Sequence, residues 1–100
     1  MPPDSEPAWR AYPAALAWET LGEAQAVFDR RTGETHFLAD LPALILQALC
    51  ERQLTRTALI NELASAADIA IDENVSNRVL AALQFLERAE LVESAASEYA

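Results

Sequence analysis

The side chains able to do chemistry are few and far apart. His36 is the only histidine and Cys50 the only cysteine. A lone His on an extended segment reads as a structural residue, hydrogen-bonded across its hairpin or to the helix that follows. No second His or Cys stands at metal-ligand spacing, so no zinc site is expected, and one cysteine permits no disulfide within the chain. Cys50 closes an apolar helical pattern and reads as a small buried hydrophobe. All seven basic residues are arginine, which excludes Schiff-base chemistry and a phosphate-loop lysine. The 16 acids are scattered; Glu87, Glu90 and Glu93 read as a solvated face. Gly22 and Gly33 are the only glycines, so no glycine-rich loop can cradle a phosphate. The expectation is a non-enzymatic protein without metal or cofactor that acts through its surface.

Charge narrows the partners. The net charge is −9, and no stretch of the chain is basic. A nucleic-acid partner needs a positive footprint, because phosphate contacts carry most of the affinity. Nucleic acid and anionic membrane are therefore both disfavoured. No apolar run reaches ~18 residues, and no charged-then-apolar leader opens the chain. The reading is a soluble, cytoplasmic, single domain; 100 residues suffice for one modest core.

The stretch Ala24–Leu38 is the clearest β signal. Ala24, Ala26 and Phe28 alternate with Gln25, Val27 and Asp29; Thr35 and Phe37 alternate with Glu34, His36 and Leu38. Between them Arg30-Arg31-Thr32-Gly33 reads as a turn with positive φ at Gly33, held by Asp29 accepting from turn amides. Leu16–Leu21 adds a first strand, with Trp18 in the core or on the sheet face. Residues 1–13 hold four of the five prolines and read as an irregular arm, pinned at its end by Trp9 and Tyr12.

Three helical patterns follow. The first, Leu41–Glu51, has Asp40 as N-cap and Pro42 in its first turn, with Leu41, Leu44, Ile45, Ala48 and Leu49 as its apolar face. The second starts after a Thr55 cap and buries Leu59, Ile60, Leu63 and Ala67. Residues 68–71 are extended or irregular. Asp72 caps the third, Glu73–Ala89, whose stripe is Val75, Val79, Ala82, Leu83 and Leu86. Leu91-Val92 form a possible short strand, and residues 94–100 a frayed tail. The whole predicts an α+β fold, winged-helix-like, with a small antiparallel three-stranded sheet followed by three helices.

Such a sheet leaves the strand Glu34–Leu38 at an edge. Edges are templates for pairing and are normally blocked; this one has no Pro, no Lys, and Glu34 as its only fixed charge. A peptide added there also needs apolar anchors, since backbone bonds at ~0.5–1.5 kcal/mol each do not offset ordering at ~1–2 kcal/mol per residue. The flank Asn74, Arg78, Ala81 and Phe85 of the third helix is the candidate wall: Ala81 leaves room, Phe85 offers apolar contact, and Arg78 can meet an acidic side chain. The opposite flank, with Leu80 and Glu87, stays open as an alternative, as does a covering of the edge by a helix or by Leu91-Val92.

Val27-Phe28-Asp29, then Thr32-Gly33-Glu34-Thr35-His36-Phe37-Leu38, the Leu44-Ile45 helix and the closing Leu86…Leu91-Val92 resemble the PqqD family. Trp18 and the Thr-Gly-x-Thr-His string resemble most its branch in the HPr-relative-A systems. The resemblance spans about residues 16–93 and implies a precursor-peptide recognition element of residues 14–93. It implies a peptide chaperone that binds a leader peptide as an added strand on Glu34–Leu38, against Glu73–Ala89, and presents it to a modifying enzyme. The chain departs from the family at Glu90, where Gly is common, which puts a positive-φ helix end in question. Two rivals stand beside this reading. One is a winged-helix DNA-binding regulator, whose recognition helix would set Arg78 and Arg88 against Glu73 and Glu87. The other is a structural subunit that dimerises through the same edge.

Overall fold

A computed structural model describes residues 7–68 and 70–95, without the side chains of Ala39, Asp40 and Ala95. The fold is α+β, with three helices and two three-stranded antiparallel sheets. The strands are β1 (Ala8–Ala11), β2 (Leu16–Leu21), β3 (Ala24–Asp29), β4 (Glu34–Ala39), β5 (Leu54–Thr55) and β6 (Val92–Ala95); the helices are α1 (Asp40–Glu51), α2 (Arg56–Ala67) and α3 (Glu73–Arg88).

The expected sheet is a meander in the order β2-β3-β4. Its registers pair Trp18 with Val27 and Val27 with His36. Strand alternation then puts Leu16, Val27, Asp29 and Leu38 on one face, and all four are buried. The two phenylalanines of the sheet point the other way: Phe28 and Phe37 stay 40% and 68% exposed. Gly22 and Gly33 take φ of +62° and +79° at the two turns, conformations that cost a side-chain-bearing residue.

The second sheet, β5-β1-β6, is not legible in the sequence. The arm expected to be irregular carries β1 and, after Tyr12, one 3₁₀ turn at Pro13–Ala15. The tail expected to fray from Ser94 pairs as far as Ala95, with Arg10 opposite Glu93 and Trp9 opposite Ser94. Arg10 donates from Nε to Glu93 at 2.6 Å across that ladder, so Glu93 is an ion-pair partner and not merely a solvated acid. Residues 1–6 and 96–100 of the arm and tail lie outside the described residues.

The helices start where side chains can cap them. Thr55 Oγ1 accepts from the Ala58 amide at 3.1 Å and Asp72 Oδ1 from the Val75 amide at 2.9 Å. α1 begins at Asp40 itself; the capping expected of its side chain lies outside what is described. The α3 stripe packs as read, with Val79, Ala82, Leu83 and Leu86 buried. Two apolar faces differ from expectation. On α1, Ala43 and Leu46 are buried while Leu44 is 53% exposed. On α2, Ala64 is buried in place of Ala67. At 3.6 residues per turn, a helix apolar nearly all round cannot bury every side.

α3 ends in a Schellman arrangement. The Leu91 amide reaches the Leu86 carbonyl at 3.0 Å and the Glu90 amide the Glu87 carbonyl at 2.9 Å. Glu90 sits at φ +64°, so the left-handed end is kept although the residue is not glycine.

Candidate functional site

The site begins at the β3–β4 turn. Asp29 is fully buried. Its Oδ1 accepts from the Arg31 amide at 2.9 Å and from Arg31 Nε at 3.0 Å, and its Oδ2 from Arg31 Nη2 at 2.7 Å. The side-chain bonds from Arg31 hold the Asp29 carboxyl below the usual carboxylate range, against the opposing pull of burial. Arg31 also donates from Nη2 to the Glu90 carbonyl at 2.5 Å and lies 3.8 Å over the Tyr12 ring. One guanidinium thus ties the hairpin to the end of α3 and to the segment after β1. Around it, burial raises the Tyr12 hydroxyl, and bonds from Tyr12 and Arg10 hold the Glu93 carboxyl low.

That clamp fixes β4, the last strand of its sheet. The C-terminal strand does not cover it; β6 pairs with β1 in the other sheet. Among the described residues no strand lies on the outer side of β4, and alternate residues of such an edge aim N–H and C=O away from the ladder. Glu34, Thr35 and Phe37 are exposed, His36 is half-buried and Leu38 is buried. The hydrogen bond expected of His36 is missing: its Nε2 is enclosed and unpartnered. The nearest carboxylate oxygen, Glu34 Oε1, stands 3.6 Å away, too far for a hydrogen bond.

Directly after β4, the first turn of α1 meets α2 and α3 around an apolar groove of about 470 Å³. Leu41 and Leu44 form one wall, Leu63 another, and Val75, Arg78 and Val79 the third. The volume falls within the ~300–1,000 Å³ typical of ligand clefts. Arg78 is the one charged residue of the lining, and among the described residues no carboxylate pairs with it.

Of the four flank residues on α3, Arg78 alone lines this groove. Asn74, Ala81 and Phe85 are exposed and lie on the same helical stripe, four, three and seven residues away from it. The opposite-flank residues are a half-buried Leu80 and an exposed Glu87, neither in the groove lining. Leu41, Leu44 and Val75 were legible as apolar but not as groove. The available signal was the surplus of apolar residues on α1, more than one core face can absorb.

Other chemistry is sparse. Cys50 is partly buried, and burial raises its thiol pKa, with Glu51 adding to the effect. Among the described residues no three His, Cys, Asp or Glu side chains gather as a metal would need, and no helix is long and apolar enough to cross a membrane.

No protein-family model matches the chain, and no curated protein matches it in sequence. Its fold is similar to that of TbiB1, solved in complex with the TbiA(beta) leader peptide. The TM-score is 0.62 at 20% identity, over 91% of this chain and 98% of that one. The likeness is one of fold.

Proposed function

We propose that the protein is a PqqD-like peptide-binding module that takes the leader of a ribosomally made precursor as an added strand on β4 and hands it to a modifying enzyme. The observation that carries the reading is the free edge of β4, whose chain runs directly into α1, one wall of the apolar groove between α1, α2 and α3. The leader peptide held by TbiB1, whose fold this chain resembles, supports the same reading. The ladder residues are Glu34, Thr35, His36, Phe37 and Leu38. The groove takes an apolar side chain of the guest, and Arg78 pairs with an acid beside it. Asn74, Ala81 and Phe85 extend that wall along α3.

Backbone bonds to β4 alone do not hold a flexible peptide. A micromolar complex needs about −8 kcal/mol, and one bulky anchor in the groove adds ~1.5–3 kcal/mol. Leu44, exposed in the free chain, is the residue to perturb. Synthetic peptides from short reading frames beside the gene serve as probes in fluorescence anisotropy. Leu44→Glu is expected to weaken binding at least about tenfold while leaving stability nearly unchanged, because the side chain is not in the core. A peptide bound equally well by Leu44→Glu would place its anchor elsewhere. A dimer paired through β4 uses the same edge, and peptide would then dissociate it. For DNA binding α3 has no positive surplus: Arg78 and Arg88 stand against Glu73 and Glu87.

A further inference from the structure

Among the described residues, the one buried side-chain nitrogen or oxygen without a partner belongs to the chain's only histidine. His36 sits in the middle of β4, opposite Val27, on the face shared with Glu34 and Leu38. Along that face polarity falls: the Glu34 side chain is 66% exposed, that of His36 is 17% exposed, and Leu38 is buried. A strand added to β4 sets one of its own side chains about 4.5–5.5 Å from His36, Cβ to Cβ, and excludes water from that stretch of edge. A polar atom enclosed without a partner costs more than a made bond returns. Sites with such atoms reject ligands that lack the matching group.

Resting on the reading of β4 as the docking edge, we infer that His36 selects the guest, whose residue facing it carries a hydroxyl or a side-chain amide: Ser, Thr, Asn or Gln. The neighbouring carboxylate decides between candidates. Glu34 is an acceptor only, with its Oε1 3.6 Å from Nε2; in the proposed complex the imidazole is the tautomer with its hydrogen on Nε2. A guest hydroxyl accepts from that N–H and donates its own hydrogen to Glu34. A guest carboxylate meets Glu34 and a chain of net charge −9. An aliphatic guest residue leaves Nε2 orphaned. No hydrogen bond holds the imidazole in its present rotamer, and on binding the ring turns toward the edge to meet the guest. The guest residues two positions to either side face Glu34 and Leu38. One is therefore Lys or Arg and the other bulky and apolar, and their order reports the direction in which the guest strand runs.

The test is a selection of displayed random peptides against the whole chain, followed by amide spectra to keep those that perturb Glu34–Leu38. The expected alignment has Ser, Thr, Asn or Gln at one position, flanked two residues away by an apolar residue on one side and a base on the other. Replacing that polar residue by Ala is expected to raise Kd about tenfold, the ~1.4 kcal/mol scale of one unmet bond. The loss disappears in His36→Phe and persists in His36→Gln, whose amide reaches about as far as Nε2. On the unaltered chain, the single imidazole ¹⁵N signature moves with the selected peptide and not with its Ala version. Peptides that perturb β4 yet bind equally well as Ala versions, or lose the same affinity in His36→Phe, overturn the selection by His36 and leave the docking edge standing. A selection that yields no peptide acting on β4 overturns both.

Discussion

Replacing Arg31 by Met probes the clamp that ties the β3–β4 turn to the end of α3. Asp29 is fully buried and its carboxylate receives three bonds, all from Arg31. Removing one member of a buried pair costs about 3–5 kcal/mol, because the remaining charge is left uncompensated. The Arg31 side chain is 36% exposed, so solvent screens part of that, and ~2–3 kcal/mol is the working figure. Against a total of ~5–15 kcal/mol, that is a large fraction. With m at ~1–3 kcal/mol/M, the urea midpoint falls by roughly 0.7–3 M. The sign with pH follows from Asp29. Its folded pKa is depressed by Arg31, so its contribution is present above the ordinary carboxylate value and is lost as pH falls through the folded value. In the variant the buried carboxylate keeps only the backbone amide at position 31 and loses both guanidinium bonds, which makes Asp29 easier to protonate. The gap between variant and parent therefore narrows as urea melts are repeated from pH 7 into the acid range. Peptide binding should fall as well, because the bond from Arg31 to the Glu90 carbonyl no longer ties the turn to α3. A variant within ~0.5 kcal/mol of the parent at pH 7, or a gap that does not narrow in acid, refutes the reasoning.

The remaining predictions concern the frame. Glu90→Gly relieves a left-handed residue at φ +64° and is expected to stabilise by about 0.5–1 kcal/mol after the extra freedom of the unfolded glycine is counted; a thermal melt that does not rise counts against the assigned helix end. Asp72→Ala removes the cap on the Val75 amide and should destabilise by ~1 kcal/mol, read as a lower urea midpoint, with Asp72→Ser close to the parent. Cys50, its pKa raised by burial, should react with an aromatic disulfide at pH 7 several-fold more slowly than the same thiol in urea, since the thiolate is the attacking form; equal rates would mean it is open in the native state.

How far the sequence could be read depended on whether a feature was local. The Ala24–Leu38 hairpin, the Gly33 turn and the Thr55 and Asp72 caps are set by residues within a few positions of one another, and each stands where the pattern put it. The α3 stripe was legible for the same reason. The β5-β1-β6 sheet was not. Its strands are two to four residues long and pair Arg10 with Glu93 across most of the chain, so no window holds both partners. The Arg31 clamp was half legible: Asp29 at the turn could be read, but its guanidinium partner reaching Glu90 could not. The groove was hidden because Leu41, Leu44 and Val75 look like core residues. Only the packing of three helices decides which apolar side chain is left over.

The central claim is that the outer side of β4 receives a guest chain. Its most direct test is an amide-resolved titration of the whole chain with a binding leader peptide, combined with hydrogen exchange. Shifts confined to Glu34–Leu38, the first turn of α1 and the Arg78 side of α3 are expected, with exchange on β4 slowed in the complex for the alternate amides that face outward. Shifts restricted to the β5-β1-β6 sheet, with β4 exchange unchanged at saturation, would contradict it.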